Sequence, residues 1–408
     1  MDIAVLGGGI SGITTATTLH LLGYNTTLIT AARLDTGLGL QAPQCASAYP
    51  AASVIPHAVR IPHEAFHLQQ SQRCFDCFRD APEWGVRVQR HAELFEFPTD
   101  RPSYAAGLRN PKWFEQDAQP LDRLPQRRNA PGPYGWTFDM TFVEAPRYLR
   151  ELYALYEQIG GTVQRMHIRP DNRSTLPGDV WVNCLGYAAP QVFDDPAPAT
   201  YRHGFLLHVA PPADAAIPPQ TESVASYNYA LQPNAYPTPS GNGGGIYFYP
   251  RSDVWIVGGT KHPAHADGTY QASLCEPTRR VHGVVLPAAM WYTNVRFIRK
   301  LTGVDIQARL LRVVSGLRYL RDPEGEGVRL SWEENQERPI MHNYGHGGAG
   351  VTLSWSCALQ VARVLREKGH MPALPMVSCE TASALQQTLV TKREATPQAT
   401  VTGNTEMD

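Results

Sequence analysis

Apolar and polar residues alternate with two different periods at the start of the chain. Residues 3–6 form a short apolar run, residues 10–22 carry apolar side chains at helical spacing, and residues 25–30 form a second apolar run. Short apolar runs are typical of buried strands, and the wider spacing is typical of a helix that packs on one face. The pattern therefore predicts a βαβ unit, which builds a parallel sheet covered by helices.

The rest of the chain mixes both signals. Further helices are predicted over 143–158, terminated by Gly160 and Gly161, and over 349–367; strands are predicted near 162–168, 179–183, 246–249, 253–258 and between 305 and 332. Residues 210–245 are rich in Pro, Ala, Asn and Gly, which predicts mostly loop. The polar, Thr-rich end over 371–408 predicts a disordered tail.

A glycine-rich turn joins the first predicted strand to the first helix. Its sequence, Gly7-Gly8-Gly9-Ile10-Ser11-Gly12, fits the pattern G-x-G-x-x-G. Between a strand and a helix, Gly7 allows the tight turn, Gly9 lets a pyrophosphate approach the backbone, and Gly12 lets the helix pack closely. The helix dipole favours negative charge at this end. The turn predicts a dinucleotide site, and a turn without a ligand is the alternative.

One part of that pattern is missing. A carboxylate that binds the ribose hydroxyls is expected near the end of the second strand. Here the strand runs into Ala31-Ala32-Arg33, and the nearest acidic residue is Asp35. Arg33 and Asp35 are the candidates that compensate, so this motif does not identify the cofactor.

Composition and charge narrow the class of protein. The chain has 408 residues, a formal net charge of −1 and seven cysteines. A near-neutral chain without a basic run predicts no nucleic-acid partner, and no apolar stretch reaches the length of a membrane span. Scattered cysteines, with no signal-peptide pattern and no peroxisomal tag at the end, favour a reducing compartment. We expect a cytoplasmic enzyme without a membrane partner.

A second glycine-rich segment lies just before the last predicted helix. The segment runs from Arg338 to Thr352 as RPIMHNYGHGGAGVT, with four glycines within six residues. Glycines let the backbone lie flush against a flat ring and direct its N–H groups at the ring oxygens. A flavin needs such donors because negative charge grows at its N1/C2 edge on reduction. A helix entry without a ligand is the alternative.

This segment resembles the D-amino acid oxidase family, whose members carry H-N-Y-G-H-G-G-x-G-x-T followed by a W-x-C-A-like helix. Further matches follow in the family's order: Tyr134-Gly135-Trp136, Val182-Asn183-Cys184-Leu185-Gly186, Tyr247-Phe248-Tyr249-Pro250, Gly258-Gly259-Thr260 and Gly316-Leu317-Arg318. The resemblance spans roughly 1–367 and is loosest between 57 and 130. The C-terminal run is specific to this branch, whereas many flavoproteins share the glycine-rich opening.

The resemblance implies FAD as cofactor and oxidative deamination of a D-amino acid. In that reaction the α-hydrogen leaves as hydride to flavin N5, the imino acid hydrolyses to a keto acid and ammonia, and dioxygen reoxidises the flavin to give hydrogen peroxide. Two alternatives stay open: a tailoring amine oxidase or dehydrogenase for an unusual amino acid or amine, and a flavin-binding protein without turnover. The side chain of the substrate, the acceptor and a homodimeric assembly also stay open.

The resemblance also implies a set of site residues. Arg318 takes the position of the carboxylate clamp, where a guanidinium fork suits a carboxylate. Tyr247 matches the tyrosine that supports the same carboxylate, and Gly348 offers a backbone carbonyl to the substrate amine. Thr352 is expected to donate to a flavin carbonyl. The implied cofactor-binding residues are Gly7, Gly9, Ile10, Ser11, Gly12, Arg33, Ala51, Ala52, Ser53, Ile168, Gly186, Gly345, Gly347, Gly348, Ala349, Gly350, Val351 and Thr352.

The chain departs from the family before the Y-x-x-P segment. Family members have a short loop there with another active-site tyrosine. Here the predicted loop over 210–245 is much longer and carries Tyr227, Tyr229 and Tyr236. We choose Tyr229 as the fourth catalytic candidate, covering the site from a reshaped lid.

These signals together predict an α/β fold with two interleaved domains. A Rossmann-type FAD domain is assigned to 1–60, 143–199 and 310–370, and a substrate domain on a mixed, largely antiparallel sheet to 61–142 and 200–309. Each domain is discontinuous because the two kinds of segment alternate along the chain.

Two short motifs suggest other chemistry. His63-Glu64-Ala65-Phe66-His67 fits the H-E-x-x-H of zinc peptidases, but no third ligand follows in a suitable pattern. Cys74-Phe75-Asp76-Cys77 is a lone C-x-x-C without a second pair. Both lie in one predicted helix of the substrate domain, and we predict no metal site.

Overall fold

A computed structural model describes residues 1–35, 45–48, 51–114, 134–213, 224–232, 245–266, 269, 277–334, 337–371, 387, 390 and 391. The predicted opening is present: strand β1 (Asp2–Leu6), helix α1 (Ile10–Leu21) and strand β2 (Asn25–Thr30). The other strands are β3 (Ala51–Ser53), β4 (Val86–Phe95), β5 (Arg109–Phe114), β6 (Tyr134–Glu144), β7 (Thr162–Arg165), β8 (Val180–Asn183), β9 (Ala199–Val209), β10 (Ser226–Ala230), β11 (Gly245–Pro250), β12 (Trp255–Gly258), β13 (His262–Pro263), β14 (Thr278–Val281), β15 (Val284–Pro287), β16 (Leu310–Arg321), β17 (Arg329–Glu333) and β18 (Ile340–Tyr344). The other helices are α2 (Glu64–Asp76), α3 (Ala145–Gln158), α4 (Ala189–Phe193), α5 (Ala288–Thr302) and α6 (Gly350–Glu367).

A six-stranded sheet in the order β17-β18-β8-β1-β2-β7 forms the first layer. Strands β18, β8, β1, β2 and β7 are parallel, and only the edge strand β17 runs antiparallel to its neighbour. Helices α1, α3 and α6 pack together beside it. This arrangement confirms the predicted Rossmann-type layer.

The second sheet has the order β13-β9-β12-β11-β10-β4-β6-β3, with β16 paired to β9 and β5 paired to β6. Its pairs are antiparallel except for β10 and β4, which run parallel. The predicted mixed, largely antiparallel sheet is therefore confirmed.

Three features differ from the sequence prediction. Residues 226–230 form strand β10, although their surroundings predict loop, because β4 and β11 supply hydrogen-bond partners on both sides. Strand β6 extends to Glu144, so the helix predicted from 143 begins at Ala145. Strand β16 joins the second sheet, although the sequence assigns 310–370 to the first domain. The domain boundaries remain a prediction.

A buried ion pair ties the two sheets together. Arg321, at the end of β16, donates from Nε to Asp195 Oδ2 at 2.7 Å, and Tyr344 of β18 donates its hydroxyl to the same oxygen at 2.5 Å. The Asp195 side chain is 2% exposed. Burial alone would raise the pKa of Asp195, but the hydrogen bonds from Arg321 and Tyr344 lower it to about 2. The carboxylate therefore stays ionised and fixes how β16 meets the first sheet.

Candidate active site

The glycine turn after β1 has the shape that a pyrophosphate requires. A Cβ atom on Gly7 would lie 2.6 Å from the carbonyl oxygen of Cys184, and one on Gly12 would lie 1.7 Å from the carbonyl oxygen of Gly7. Gly7 also has a φ of +106°, which favours glycine. The first turn of α1 carries no acidic residue. This end of the helix can therefore receive an anion against bare backbone.

The second glycine-rich segment docks on the first. His346 bonds from Nδ1 to Ser11 Oγ at 3.2 Å and from Nε2 to Asn343 Oδ1 at 3.0 Å, and Asn343 Nδ2 donates to Thr15 Oγ1 at 3.0 Å. Burial lowers the pKa of His346 to about 4, so its ring is neutral. The run that the sequence assigned to the flavin thus lies directly beside the predicted pyrophosphate turn.

The start of helix α6 presents unshared backbone donors to a cavity. The first backbone bond in this helix is from Leu353 N–H to the carbonyl of Ala349, so the N–H groups of residues 350–352 have no acceptor within the helix. All three residues line the cavity. The Thr352 hydroxyl, expected to donate to a flavin carbonyl, donates instead to the carbonyl oxygen of Ile55 at 2.8 Å. Donors for a flavin edge here are therefore backbone groups, which fits the glycine-rich sequence.

This cavity has a volume of about 750 Å³ and lies between the two sheets. Strand β3, predicted to contact the cofactor through Ala51, Ala52 and Ser53, forms part of its wall. The other lining residues that matter chemically are Glu93, Tyr247, Lys261, Arg318, Gly347 and Gly348. The structure therefore brings all four predicted catalytic residues, Arg318, Tyr247, Gly348 and Tyr229, around one space. The predicted cofactor residues that line the same space are Ile10, Ala51, Ala52, Ser53, Gly347, Gly348, Gly350, Val351 and Thr352.

Arg318 is held in that cavity from two sides. Its Nη1 donates to the carbonyl oxygen of Thr260 at 2.9 Å. Burial raises the pKa of Tyr247, while the charge of Arg318 and its hydrogen bond to the phenol oxygen oppose that rise. The guanidinium crosses Gly204, where a Cβ atom would lie only 2.5 Å from Nη1. A fixed guanidinium beside a phenol is a suitable receptor for a carboxylate.

Tyr229 reaches the cavity from a strand and not from a loop. It lies in β10, its hydroxyl donates to Glu96 Oε1 at 2.9 Å, and its ring packs 5.0 Å from that of Phe297. Tyr229 therefore lines the cavity from a strand, where a loop was predicted, and its catalytic role remains a prediction. Tyr227 lies on the same strand, and its hydroxyl bonds to the carbonyl oxygen of Val224. Tyr236 lies outside the described residues.

Three cofactor residues predicted farther along the chain follow strand ends of the first sheet. Arg33 follows β2, Ile168 follows β7 and Gly186 follows β8, at the edge where parallel sheets bind ligands. Arg33 is committed to two carboxylates, with Nη2 at 2.7 Å from Asp35 and Nη1 at 2.6 Å from Glu157. Their contacts with a cofactor remain predictions.

Three charged or titratable residues of the cavity escaped the sequence analysis. Lys261 Nζ lies 2.8 Å from His57 Nε2. Burial, together with the charge of Arg318, lowers the pKa of Lys261 to about 8, and burial beside Lys261 lowers that of His57 to about 4. Glu93 Oε1 accepts hydrogen bonds from Asn228 at 2.5 Å and from His91 at 3.2 Å. The one signal in the sequence was Lys261, which directly follows the Gly258-Gly259-Thr260 match.

The two motifs set aside in the sequence show no metal or redox geometry. His63 precedes α2 with a φ of +58°, Glu64 accepts a hydrogen bond from Ser103, and His67 is buried. Cys74 and Cys77 are not joined by a disulfide bond, and burial raises the pKa of Cys74 to about 12. Within the described part of the chain, no three His, Cys, Asp or Glu side chains come together as a metal site.

None of the helices that the structure describes combines the length and the apolar character needed to cross a membrane.

A parallel sheet with a glycine-rich strand–helix turn, facing a second sheet across a cavity, defines the class of dinucleotide-binding oxidoreductases. A comparison with family models sharpens this: residues 2–364 match the DAO model of FAD dependent oxidoreductases, and the chain belongs to that family. FAD is therefore its cofactor, and the glycine cradle and the α6 backbone donors fit that group.

Two of the matched relatives are distant in sequence but extend over most of the chain. A D-amino-acid oxidase of Rubrobacter xylanophilus is 27% identical and covers 88% of this chain and 94% of its own length. Human D-aspartate oxidase is 24% identical and covers 92% of this chain and 97% of its own length. Among solved structures, glycine oxidase from Geobacillus kaustophilus has a TM-score of 0.59 at 16% identity, covering 93% and 97% of the two chains.

Proposed function

We propose that the protein catalyses the FAD-dependent oxidative deamination of a D-amino acid. The observation that carries this proposal is the Arg318–Tyr247 pair, which is fixed in the same cavity as the backbone donors of α6. A guanidinium binds a carboxylate through two parallel hydrogen bonds, and the phenol adds a further donor. The names of the relatives described as D-amino-acid oxidases support the D configuration.

The protein's own groups have a small number of tasks in such a reaction. Arg318 and Tyr247 hold the substrate carboxylate, and the carbonyl of Gly348 accepts from the amino group. When bound, FAD would supply the hydride acceptor for the α-hydrogen of the substrate. The fixed receptor orients the α-carbon, which converts a bimolecular encounter into a positioned one. Most of the catalysis assigned to the protein is therefore orientation.

Anaerobic bleaching of the bound flavin tests this proposal. Purified holoenzyme is mixed with D-, L- and N-substituted amino acids, and absorbance of the oxidised flavin is followed. We expect bleaching by at least one D-amino acid, then recovery of the oxidised spectrum and peroxide formation when air is admitted. Bleaching by L-amino acids alone would contradict the D assignment, and recovery that needs an added electron acceptor would indicate a dehydrogenase.

A pair of variants tests the carboxylate receptor itself. Arg318→Leu should raise KM for amino acids strongly, because a charge-assisted hydrogen bond contributes roughly 1.5–3 kcal/mol. Arg312→Leu, on the same strand but with its Nε bonded to His208 Nδ1 at 3.2 Å, serves as the matched control. An unchanged KM in Arg318→Leu would indicate an amine substrate without a carboxylate.

A further inference from the structure

Three charges of the cavity lack an oppositely charged residue at ion-pairing distance. Among the described residues, Arg318 and Lys261 have no carboxylate within 4.0 Å, and the sole ion-pair partner of Glu93 is His91, which is charged only when protonated. A charge that is removed from water without a counter-charge is costly. Glu93 is buried and Arg318 is half-buried, whereas Lys261 is exposed to the open cavity. Three charges that face one cavity without a charged partner in the chain indicate that a ligand supplies the missing partners.

A chain of hydrogen bonds favours the ionised form of Glu93. Burial acts to raise the pKa of Glu93, but the hydrogen bonds from His91 and Asn228 outweigh it and lower the pKa. Arg87 Nε can only donate, so the Gln89 atom at 3.0 Å is the amide oxygen and the amide nitrogen donates to Ser226 Oγ at 2.8 Å. The Ser226 hydroxyl proton is then free to bond His91 Nδ1, also at 2.8 Å. Because an ionised Glu93 can only accept, His91 carries a proton on Nε2 and donates it to Glu93 Oε1.

The other side of Glu93 is ordered in the same way. The Tyr249 hydroxyl donates to Asn228 Oδ1 at 2.8 Å, which turns the amide nitrogen of Asn228 to Glu93 Oε1 at 2.5 Å. Both of these donors use Oε1. Oε2 has no hydrogen-bond partner among the described residues, and Glu93 lines the cavity. One oxygen of an ionised carboxylate is thus offered to a ligand.

The ammonium of Lys261 has donors left for an anionic group of a ligand. Its ammonium is placed by His57, which accepts one N–H at Nε2. An ammonium has three N–H groups, so two remain to be donated. Lys261 follows Thr260, whose carbonyl oxygen accepts a hydrogen bond from Arg318 Nη1. Arg318 of β16 and Lys261, just after β12, therefore line the same part of the cavity.

We propose that the substrate is an amino dicarboxylic acid, bound by Arg318 at its α-carboxylate, by Glu93 at its amino group and by Lys261, held on His57, at its second carboxylate. The three charges of such a molecule are the opposites of the three charges of the cavity. This inference rests on the proposed amino acid oxidation and names its substrate class. A neutral amino acid leaves Lys261 without a partner, and a basic one places a cation beside it.

The first test removes the ammonium of Lys261. In the holoenzyme, Lys261→Met should raise KM for D-aspartate or D-glutamate roughly 10- to 100-fold while KM for D-asparagine and D-glutamine changes less than about threefold. Lys368→Met, at the exposed end of α6, is the matched control. An equal change for acidic and amide substrates would overturn the assignment of Lys261.

The second test removes the charge of Glu93 and keeps its shape. Glu93→Gln should raise KM for every amino acid substrate, because all carry the amino group. Binding of succinate, which lacks an amino group, should be at least as tight as in the unchanged protein when measured by isothermal titration calorimetry. Retained succinate binding also shows that the variant is folded. Glu83→Gln, on the exposed surface, is the matched control.

The outcomes separate this inference from the proposed function. Succinate binding that depends on Lys261, with no flavin bleaching by any D-amino acid, would support the binding site and overturn the oxidation. Bleaching by neutral D-amino acids with no preference for acidic ones, and succinate binding unaffected by Lys261→Met, would support the oxidation and overturn the dicarboxylate site. Weaker succinate binding in Glu93→Gln would overturn the role of Glu93.

Discussion

A single methyl group on Gly204 should weaken carboxylate binding although Arg318 and Tyr247 themselves are not substituted. Gly204 lies in β9 opposite Gly316 of β16, and the absence of side chains at this pair gives the Arg318 guanidinium its path into the cavity. An added Cβ atom would lie 2.5 Å from Arg318 Nη1 and 3.0 Å from Cζ. Gly204 has an extended backbone that alanine also adopts, so the expected change is confined to the guanidinium.

The size of the effect follows from these distances. Ordinary contacts of a Cβ atom begin near 3.4 Å, so Nη1 must retreat by about 1 Å. That movement breaks or lengthens the 2.9 Å bond to the Thr260 carbonyl oxygen and misaligns the fork. Losing one charge-assisted hydrogen bond to the substrate, at roughly 1.5–3 kcal/mol, raises KM about 10- to 100-fold.

Steady-state kinetics on Gly204→Ala, Arg318→Met and the double variant measure this effect. Because both substitutions act on one guanidinium, Gly204→Ala should have almost no further effect in the Arg318→Met background. The midpoint of thermal unfolding should change little, since the new methyl contacts the end of a flexible side chain. If KM is unchanged in Gly204→Ala but raised in Arg318→Met, the receptor tolerates a displaced guanidinium and the argument from geometry is wrong.

Other predictions concern charge state and stability. With a lowered pKa of about 8, Lys261 loses its ammonium as pH rises through that value, so succinate affinity should fall between pH 7 and 9 and should not change in Lys261→Met. The groups that act on this ammonium are Arg318 and Arg202, which lower its pKa, Glu93, which raises it, and the neutral ring of His57. Tyr153→Phe removes the 2.7 Å bond to the Gly8 carbonyl oxygen and should cost about 1–3 kcal/mol in urea unfolding and weaken FAD binding. Asp195→Asn leaves the buried Arg321 with only the exposed Glu326, at 3.5 Å, as counter-charge, and should cost about 3–5 kcal/mol in the same assay, a loss that Asp195→Glu should partly avoid.

Local sequence patterns were sufficient for the β1–α1–β2 opening of the first sheet. The apolar periods of β1, α1 and β2 and the glycines at 7, 9 and 12 are all contained within thirty consecutive residues. Strand β10 could not be predicted in this way, because its Ser-Tyr-Asn-Tyr-Ala sequence follows loop-forming residues. It is a strand because β4 and β11, distant in sequence, complete its hydrogen bonds.

The residues of the candidate site also fall into two groups, those that a local motif locates and those that only the structure shows. Arg318 and Gly348 belong to contiguous motifs, so a resemblance locates them. Glu93, His57 and Lys261 come from three separate segments, and each has an ordinary sequence context. Their role in the site depends on how close the fold brings them and on their hydrogen-bond partners. A local sequence pattern contains neither piece of information.

The partners of Arg33 and Asp35 indicate which of the two replaces the ribose-binding carboxylate expected at the end of β2. Arg33 holds Asp35 at 2.7 Å and Glu157 at 2.6 Å, so its guanidinium already has two anionic partners. Asp35 is therefore the better candidate for the ribose hydroxyls. Asp35→Asn should weaken FAD binding roughly 10-fold or more by loss of charge-assisted hydrogen bonds, whereas Arg33→Met, which leaves the carboxylate charged, should weaken it less. Titration of the apoprotein with FAD, followed by quenching of flavin fluorescence, measures both. A larger loss in Arg33→Met than in Asp35→Asn would instead assign the cofactor contact to Arg33.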